Sequence, residues 1–195
     1  MQVGMTLIET MVVLAILAMA VTITMPDLFK VHRDVNFVRL ARQVAGDTWR
    51  CRMEALTSCR NVGLIFCEEQ GHWYYRMVTD ENSNGVSRND YVLGRDKALG
   101  SKVWLEFLSA GTRVGVPESW RVPDPSGDGI LPPDGLRIGR SNIISFSPVG
   151  NATPSSVYFN DGRERMLVIR VSGEFGRIRT LEWRRGWPRW VEVTL

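Results

Sequence analysis

Cysteine and histidine are both scarce in this chain of 195 residues, which has only Cys51, Cys59 and Cys67 and only His32 and His72. The cysteines form no CxxC pair and the histidines are far apart in sequence, which argues against a metal centre of the usual spacing. The marks of common catalytic sites are missing as well: no G-x-S-x-G, no P-loop, no H-E-x-x-H and no dinucleotide fingerprint. The chain therefore reads as a non-enzyme, and no cofactor is expected. No Lys or Arg precedes Lys30, and apolar sequence continues past Met19-Ala20-Val21, which argues against an ordinary cleaved secretory signal. Lysine itself is rare, supplying 3 of the 24 basic residues; the other 21 are arginine. A hydrophobic content of 44% excludes disorder of the whole chain, and 18 glycines with nine prolines argue against a helical bundle. The length suggests one domain plus an appendage.

Charge is absent altogether from Thr10 to Met25. As a helix these sixteen residues would span about 24 Å, short of the roughly 30 Å hydrocarbon core of a bilayer. Extending the helix back to Met5 gives about 32 Å but takes in Glu9. A membrane span is therefore expected only if it accepts one carboxylate near its N-terminal edge. Such a carboxylate is costly unless paired, and marks function. In the first turns of a helix the dipole partly offsets its charge, and the α-amino group of Met5 in a neighbouring copy would supply a full counter-charge.

Gly4-Met5-Thr6-Leu7-Ile8-Glu9, followed by the apolar run and Pro26, resembles the N-terminus of type IV pilins and type II secretion pseudopilins. The resemblance implies cleavage between Gly4 and Met5 by a prepilin peptidase and N-methylation of Met5. Glu9 then becomes the fifth mature residue and Pro26 the twenty-second, both acting in assembly. The leader Met1–Gly4 lacks the basic residues usual in that family. Counting Lys30, Arg33, Arg39 and Arg42 after the run and none before it, charge bias alone would place the body in the cytoplasm. The family motif implies the reverse, and a basic leader upstream would reconcile the two.

Beyond Pro26, apolar or small residues recur at Phe37/Val38, Ala41, Val44/Ala45, Thr48, Cys51 and Ala55/Leu56, with Arg39, Gln43, Asp47, Arg50 and Glu54 opposite. This is the pattern of an amphipathic stem, with Pro26 bending or loosening its junction with the preceding segment. Cys51 and Cys59 would lie about 12 Å apart on such a helix, too far to bridge. Cys67 ends an expected strand, Val62–Phe66. If that strand folds back along the helix, Cys51 pairs with Cys67; three buried thiols are the alternative.

From Asn61 onward the pattern is short β-prone runs with turn signals. Val62–Phe66 and Trp73–Val78 flank Glu68-Glu69-Gln70-Gly71 as a hairpin. Val103–Leu108, Ile143–Phe146, Val157–Phe159, Met166–Val171, Ile178–Leu181 and Trp190–Val193 follow, with Asn160-Asp161-Gly162 as a turn. The expected fold is α+β: a long N-terminal helix, membrane-spanning in its first half and amphipathic in its second, packed on an antiparallel β-sheet body in a pilin-like plan. Its segments are a leader (1–4), a transmembrane and assembly helix (5–25), a helical stem (26–60) and a β-rich periplasmic domain (61–195).

Asp80, Asn82 and Asn84 open a D-x-N-x-N-G stretch like that of a calcium loop, but its twelfth position is Tyr91 rather than Glu. A plain turn is the simpler reading, and no metal is expected. The stretch Asp80–Asp90, the segment Phe146–Gly150 and Gly176-Arg177-Ile178-Arg179 resemble three elements of the GspH/FimT family of minor pilins and pseudopilins. That resemblance implies a minor subunit near a filament tip, in a type IV pilus or a type II secretion pseudopilus. It also implies an alternative role, DNA capture during natural transformation through Arg177 and Arg179. Arg163–Leu195 holds eight Arg and four Glu, a net charge of 8 − 4 = +4, against −1 for the remainder. Trp183, Trp187 and Trp190 are interleaved with Arg184, Arg185 and Arg189, where an aromatic can stack on a base; packing onto the sheet is the simpler role. The expected partners are the prepilin peptidase, other pilin or pseudopilin subunits, the inner membrane and DNA. The expected location is the bacterial inner membrane, single-pass with the N-terminus cytoplasmic, and the filament.

Overall fold

The stripe of small and apolar residues after Val35 governs how the second half of the long helix packs. In the computed structural model, which describes residues 7–127, 129–138 and 141–193 apart from the side chains of residues 23 and 26–29, helix α1 covers Leu7–Ser58. It runs unbroken through position 26; a proline there removes one helical hydrogen bond, which does not interrupt the helix. The chain divides into two compact units, Met1–Asn36 and Phe37–Leu195. The boundary therefore falls inside α1 rather than at Pro26 or at Arg60.

In the first unit the apolar side chains are exposed around the helix, Leu7 at 81%, Leu14 at 65% and Met19 at 66% among them. The expected membrane span is corrected. Among the described residues no helix is long and apolar enough to cross a membrane. The physical reason lies in the flanks of the run: it is bounded by Glu9 on one side and by Asp27 and Lys30 on the other, leaving about 24 Å of uncharged helix. The single-pass inner-membrane placement falls with it. The architecture is mixed helix and sheet, with two antiparallel sheets.

In the second unit Phe37, Leu40, Ala41, Val44, Cys51 and Ala55 of α1 are buried, the three-and-four spacing of one helix face. Thr48 joins them by donating its hydroxyl to the Val44 carbonyl at 2.6 Å. The helix stops where Cys59 adopts φ 54°, a left-handed residue in the position glycine usually holds.

The first sheet contains β1 (Val62–Glu69), β2 (His72–Thr79), β3 (Lys97–Trp104) and β6 (Ile143–Phe146), in the order β3-β2-β1-β6. Gln70 and Gly71, at φ 52° and 81°, make the two-residue turn between β1 and β2; positive φ at both positions matches the twist of a hairpin. The second sheet contains β4 (Arg113–Val114), β5 (Leu136–Arg137), β7 (Ser155–Asn160), β8 (Arg165–Val171), β9 (Ile178–Arg184) and β10 (Val191–Glu192), in the order β10-β9-β8-β7-β4 with β5 also on β7. Between them lie the short helices α2 (Arg88–Val92) and α3 (Leu105–Leu108). α3 replaces the strand expected over Val103–Leu108: β3 ends at Trp104, and a turn of helix carries Leu105 and Leu108 into the core while Phe107 faces out.

Alternation along the strands sorts the core into three clusters. Val62, Leu64 and Phe66 of β1 and Leu167 and Ile169 of β8 join the buried face of α1, so α1 and the inner faces of both sheets share one core. The outer face of the first sheet, with Ile65, Cys67 and Tyr74, is covered by Val86 and Tyr91. The outer face of the second sheet, with Tyr158, Met166, Val168 and Trp183, is covered by Val116, Trp120, Val122 and Leu131.

Candidate functional site

The outer face of the second sheet changes character along its strands. Tyr158, Val168 and Leu181 lie directly opposite one another on β7, β8 and β9 and belong to the apolar cluster there. Two residues further along, the registers align Arg137 of β5 with Ser156 of β7, Ser156 with Arg170 of β8, and Arg170 with Arg179 of β9. Directly paired residues share a face and neighbouring strands are roughly 5 Å apart. Three arginines from widely separated parts of the chain therefore form one row across four strands.

The row is partly anchored. Arg137 donates to the Asp124 carboxylate at 2.6 Å, and Ser126 donates its amide and hydroxyl to the other Asp124 oxygen at 2.8 and 2.6 Å. Burial works against the Asp124 charge, but the bonds from Ser126 and Arg137 outweigh it and hold the acid below its ordinary 3.8. The bond to Asp124 likewise stabilises the charged form of Arg137. Among the described residues Arg170 makes a single long contact, 3.5 Å to the Ser126 hydroxyl. Arg179 is exposed and, among the described residues, has no ion pair. Like charges directly opposite across a sheet are destabilising, so the Arg170–Arg179 pair is a feature that packing alone does not reward.

Arg177, the other arginine singled out by sequence, is exposed and sits just before β9 rather than on it. Its loop is held by paired bonds, Arg177 N–H to the Ser172 hydroxyl at 3.1 Å and Ser172 N–H to the Arg177 carbonyl at 3.0 Å. Gly176, at φ 55°, approaches the Gly150 carbonyl so closely that a Cβ there would stand 2.9 Å from that oxygen. The structure thus brings together two motif segments that the sequence places 26 residues apart (176 − 150), Phe146–Gly150 and Gly176–Arg179.

The tryptophans pack. Trp183 packs tilted against Trp120 and Trp190, with ring centroids 6.1 and 6.4 Å away. The Trp183 indole donates to the Trp187 carbonyl at 2.9 Å, and the Trp190 indole to the Pro123 carbonyl at 2.6 Å. These two rings are committed to the sheet rather than offered to a base. Trp187 remains at the surface with Arg184 over its ring at 5.6 Å.

Cys51 and Cys67 are free thiols, correcting the expected disulfide. The reason is strand parity. Phe66 and its i−2 neighbours face α1, so Cys67 points to the opposite face of β1, while Cys51 lies in the core under α1. Burial pushes the Cys51 thiol pKa strongly upward, with Asp47 and Glu54 adding to it. Cys59 is exposed.

The Asp80, Asn82 and Asn84 stretch closes on itself. Asp80 accepts from the backbone of Asn82 and Gly85 and from the Asn61 amide; Asn82 accepts from the Asn84 backbone; Asn84 donates to Asp90. Its oxygens are used as turn acceptors, and among the described residues no three His, Cys, Asp or Glu side chains group as a metal site. Glu9 lies exposed in the first turn of α1. Gly4 and Met5 lie outside the described residues, as does the side chain of Pro26.

The cross-strand arginine row escaped sequence reasoning because Arg137 and Arg170 belong to no motif and their alignment depends on strand pairing. No model of a known protein family, no curated protein and no solved structure matches this chain.

Proposed function

We propose that the chain is a structural, non-enzymatic subunit of a filament of the type IV pilus or type II secretion pseudopilus kind, a minor subunit incorporated near the tip. One observation carries the reading: the described apolar side chains between Leu7 and Met25 are exposed around α1. A helix that is apolar all round requires cover, and the helices of neighbouring subunits supply it. Cleavage after Gly4 frees the α-amino group of Met5, and Glu9 sets the register of the helix against that group in an adjacent copy.

The test is the mass of the mature chain from cells with and without a prepilin peptidase. The expected product begins at methylated Met5 only when the peptidase is present; a chain retaining Gly4 in the presence of an active peptidase refutes the proposal. Glu9→Ala is expected to leave the body folded and to reduce incorporation into filaments.

A second reading, DNA capture through Arg177 and Arg179, draws support from the exposure of both side chains and from the Arg170–Arg179 pair. The full chain is expected to retard duplex DNA at low salt, with affinity falling steeply as salt rises. The double variant Arg177→Ala/Arg179→Ala is expected to lose the shift; an unchanged shift removes those residues from the reading.

A further inference from the structure

Where the arginine row meets the end of the second sheet there is a cleft of about 340 Å³, lined by Arg137, Arg170, Ser126, Ser155, Ser156 and Tyr158 among others. We propose that this cleft is a binding site for a phosphate-class oxyanion, held between Arg137 and Arg170. It stands apart from the filament reading and from the assignment of Arg177 and Arg179.

Two observations carry it. First, the charge is concentrated and only partly answered: Arg137, Arg170 and Arg179 lie in one row, and among the described residues the Asp124 carboxylate forms an ion pair with Arg137 alone. Asp124 holds Arg137 through one terminal nitrogen, leaving other donors of the guanidinium for a ligand. Arg170, with its long contact to Ser126, keeps a planar fork suited to two oxygens of one tetrahedral anion. Second, the wall between the arginines carries Ser156, directly paired with Arg137 and with Arg170 in the strand registers and so on their face, whose hydroxyl can donate to an anionic oxygen. Ser155, directly opposite Val171, turns by strand parity to the inner face of the sheet; it is 6% exposed, its Oγ has no hydrogen-bond partner among the described residues, and it is not one of the donors aimed at the anion.

The size refines the ligand. The volume lies at the lower end of the range for small-molecule sites, about 300–1,000 Å³, and a bare phosphate would leave room. The cleft therefore takes a phosphate ester, either a free one or a unit of a nucleic-acid backbone.

The probe is inorganic phosphate, titrated into the full chain by calorimetry at constant ionic strength, with chloride as the balancing anion. Saturable binding at one site is expected, weakened at least tenfold by Arg170→Gln and unchanged by Arg185→Gln, an exposed arginine outside the cleft. Arg137→Gln also removes the bond to Asp124, so Arg170→Gln is the deciding variant; its unfolding midpoint in urea is expected to match that of the parent chain. Phosphate binding that does not saturate, or that is equally strong in Arg170→Gln, overturns the proposal. A second arm adds a short single-stranded oligonucleotide. Competition with phosphate supports the site with nucleic acid as the source; saturable phosphate binding without competition supports it with free phosphate esters as the source.

Discussion

Gly176→Ala tests the contact that joins the two motif segments. The residue has φ 55°, and its Cβ would stand 2.9 Å from the Gly150 carbonyl oxygen, 3.3 Å from Arg52 Nε and 3.4 Å from the Phe146 ring. An alanine in the left-handed region costs about 1–2 kcal/mol on conformational grounds. The close approach adds an overpacking penalty of about 1–3 kcal/mol, since the nearest atom is backbone and cannot swing aside. A total near 3 kcal/mol, divided by a urea slope of about 2 kcal/mol/M, lowers the unfolding midpoint by about 1.5 M. Gly150→Ala is the matched control. It has φ 91° and no atom within 4 Å of the added carbon, so it bears only the conformational cost, about 1–2 kcal/mol, or a shift of about 0.5–1 M. Urea titration followed by tryptophan fluorescence reads both. Equal shifts in the two variants refute the close approach, and no shift in Gly176→Ala refutes the geometry of the loop that presents Arg177.

Tyr75, buried against α1, donates its hydroxyl to Asp47 at 2.6 Å, and Gln43 donates to the same oxygen at 3.0 Å. Tyr75→Phe is expected to cost about 1.5 kcal/mol in chemical denaturation. Burial first, then the bond to Asp47, raise the Tyr75 pKa above its ordinary 10.0. The folded chain therefore keeps that proton where the unfolded chain loses it, so stability falls as pH rises above about 10; Tyr75→Phe is expected to flatten that fall, and an identical alkaline profile would refute the buried bond. On the acid side, burial opposes the Asp80 carboxylate, but bonds from Asn61 and the backbone of Gly85 and its neighbours hold it below 3.8. Its contribution is present above about pH 4 and is lost as pH falls. Asp80→Asn is expected to cost about 1.5–3 kcal/mol at neutral pH and much less near pH 2. Alkylation of the native chain without reductant should modify Cys59 alone, and all three cysteines after unfolding; two unreactive cysteines in the unfolded chain would restore the Cys51–Cys67 bridge.

Elements whose signal is local were legible in the sequence. The stem of α1 shows because Phe37, Ala41, Val44, Thr48, Cys51 and Ala55 recur at helical spacing, and burial of one face enforces that period. The hairpin at Gln70-Gly71 shows because a turn residue sits between two apolar runs, although the strands extend further than those runs, to Glu69 and from His72. The turn at Asp161 is of the same kind: its carboxylate accepts from the backbone of Arg163, Glu164 and Arg165. Composition alone also carries the lack of charge between Thr10 and Met25, while the question of a span turned on a length that Glu9 and Lys30 curtail.

Other features rest on relations that no short window contains. Cys51 and Cys67 looked bridgeable along the chain, yet one step of strand parity puts Cys67 on the far face of the sheet. Arg137, Arg170 and Arg179 are scattered through 43 positions (179 − 137 + 1) and become neighbours only through the registers of four strands. The sequence alone determined local periodicity, turn chemistry and the apolar character of the N-terminal helix, because each depends on residues within a few positions of one another. Only the tertiary structure decided which arginines share a face, which thiols can meet and which hydroxyl is left without a partner, because strand pairing and burial bring distant residues together.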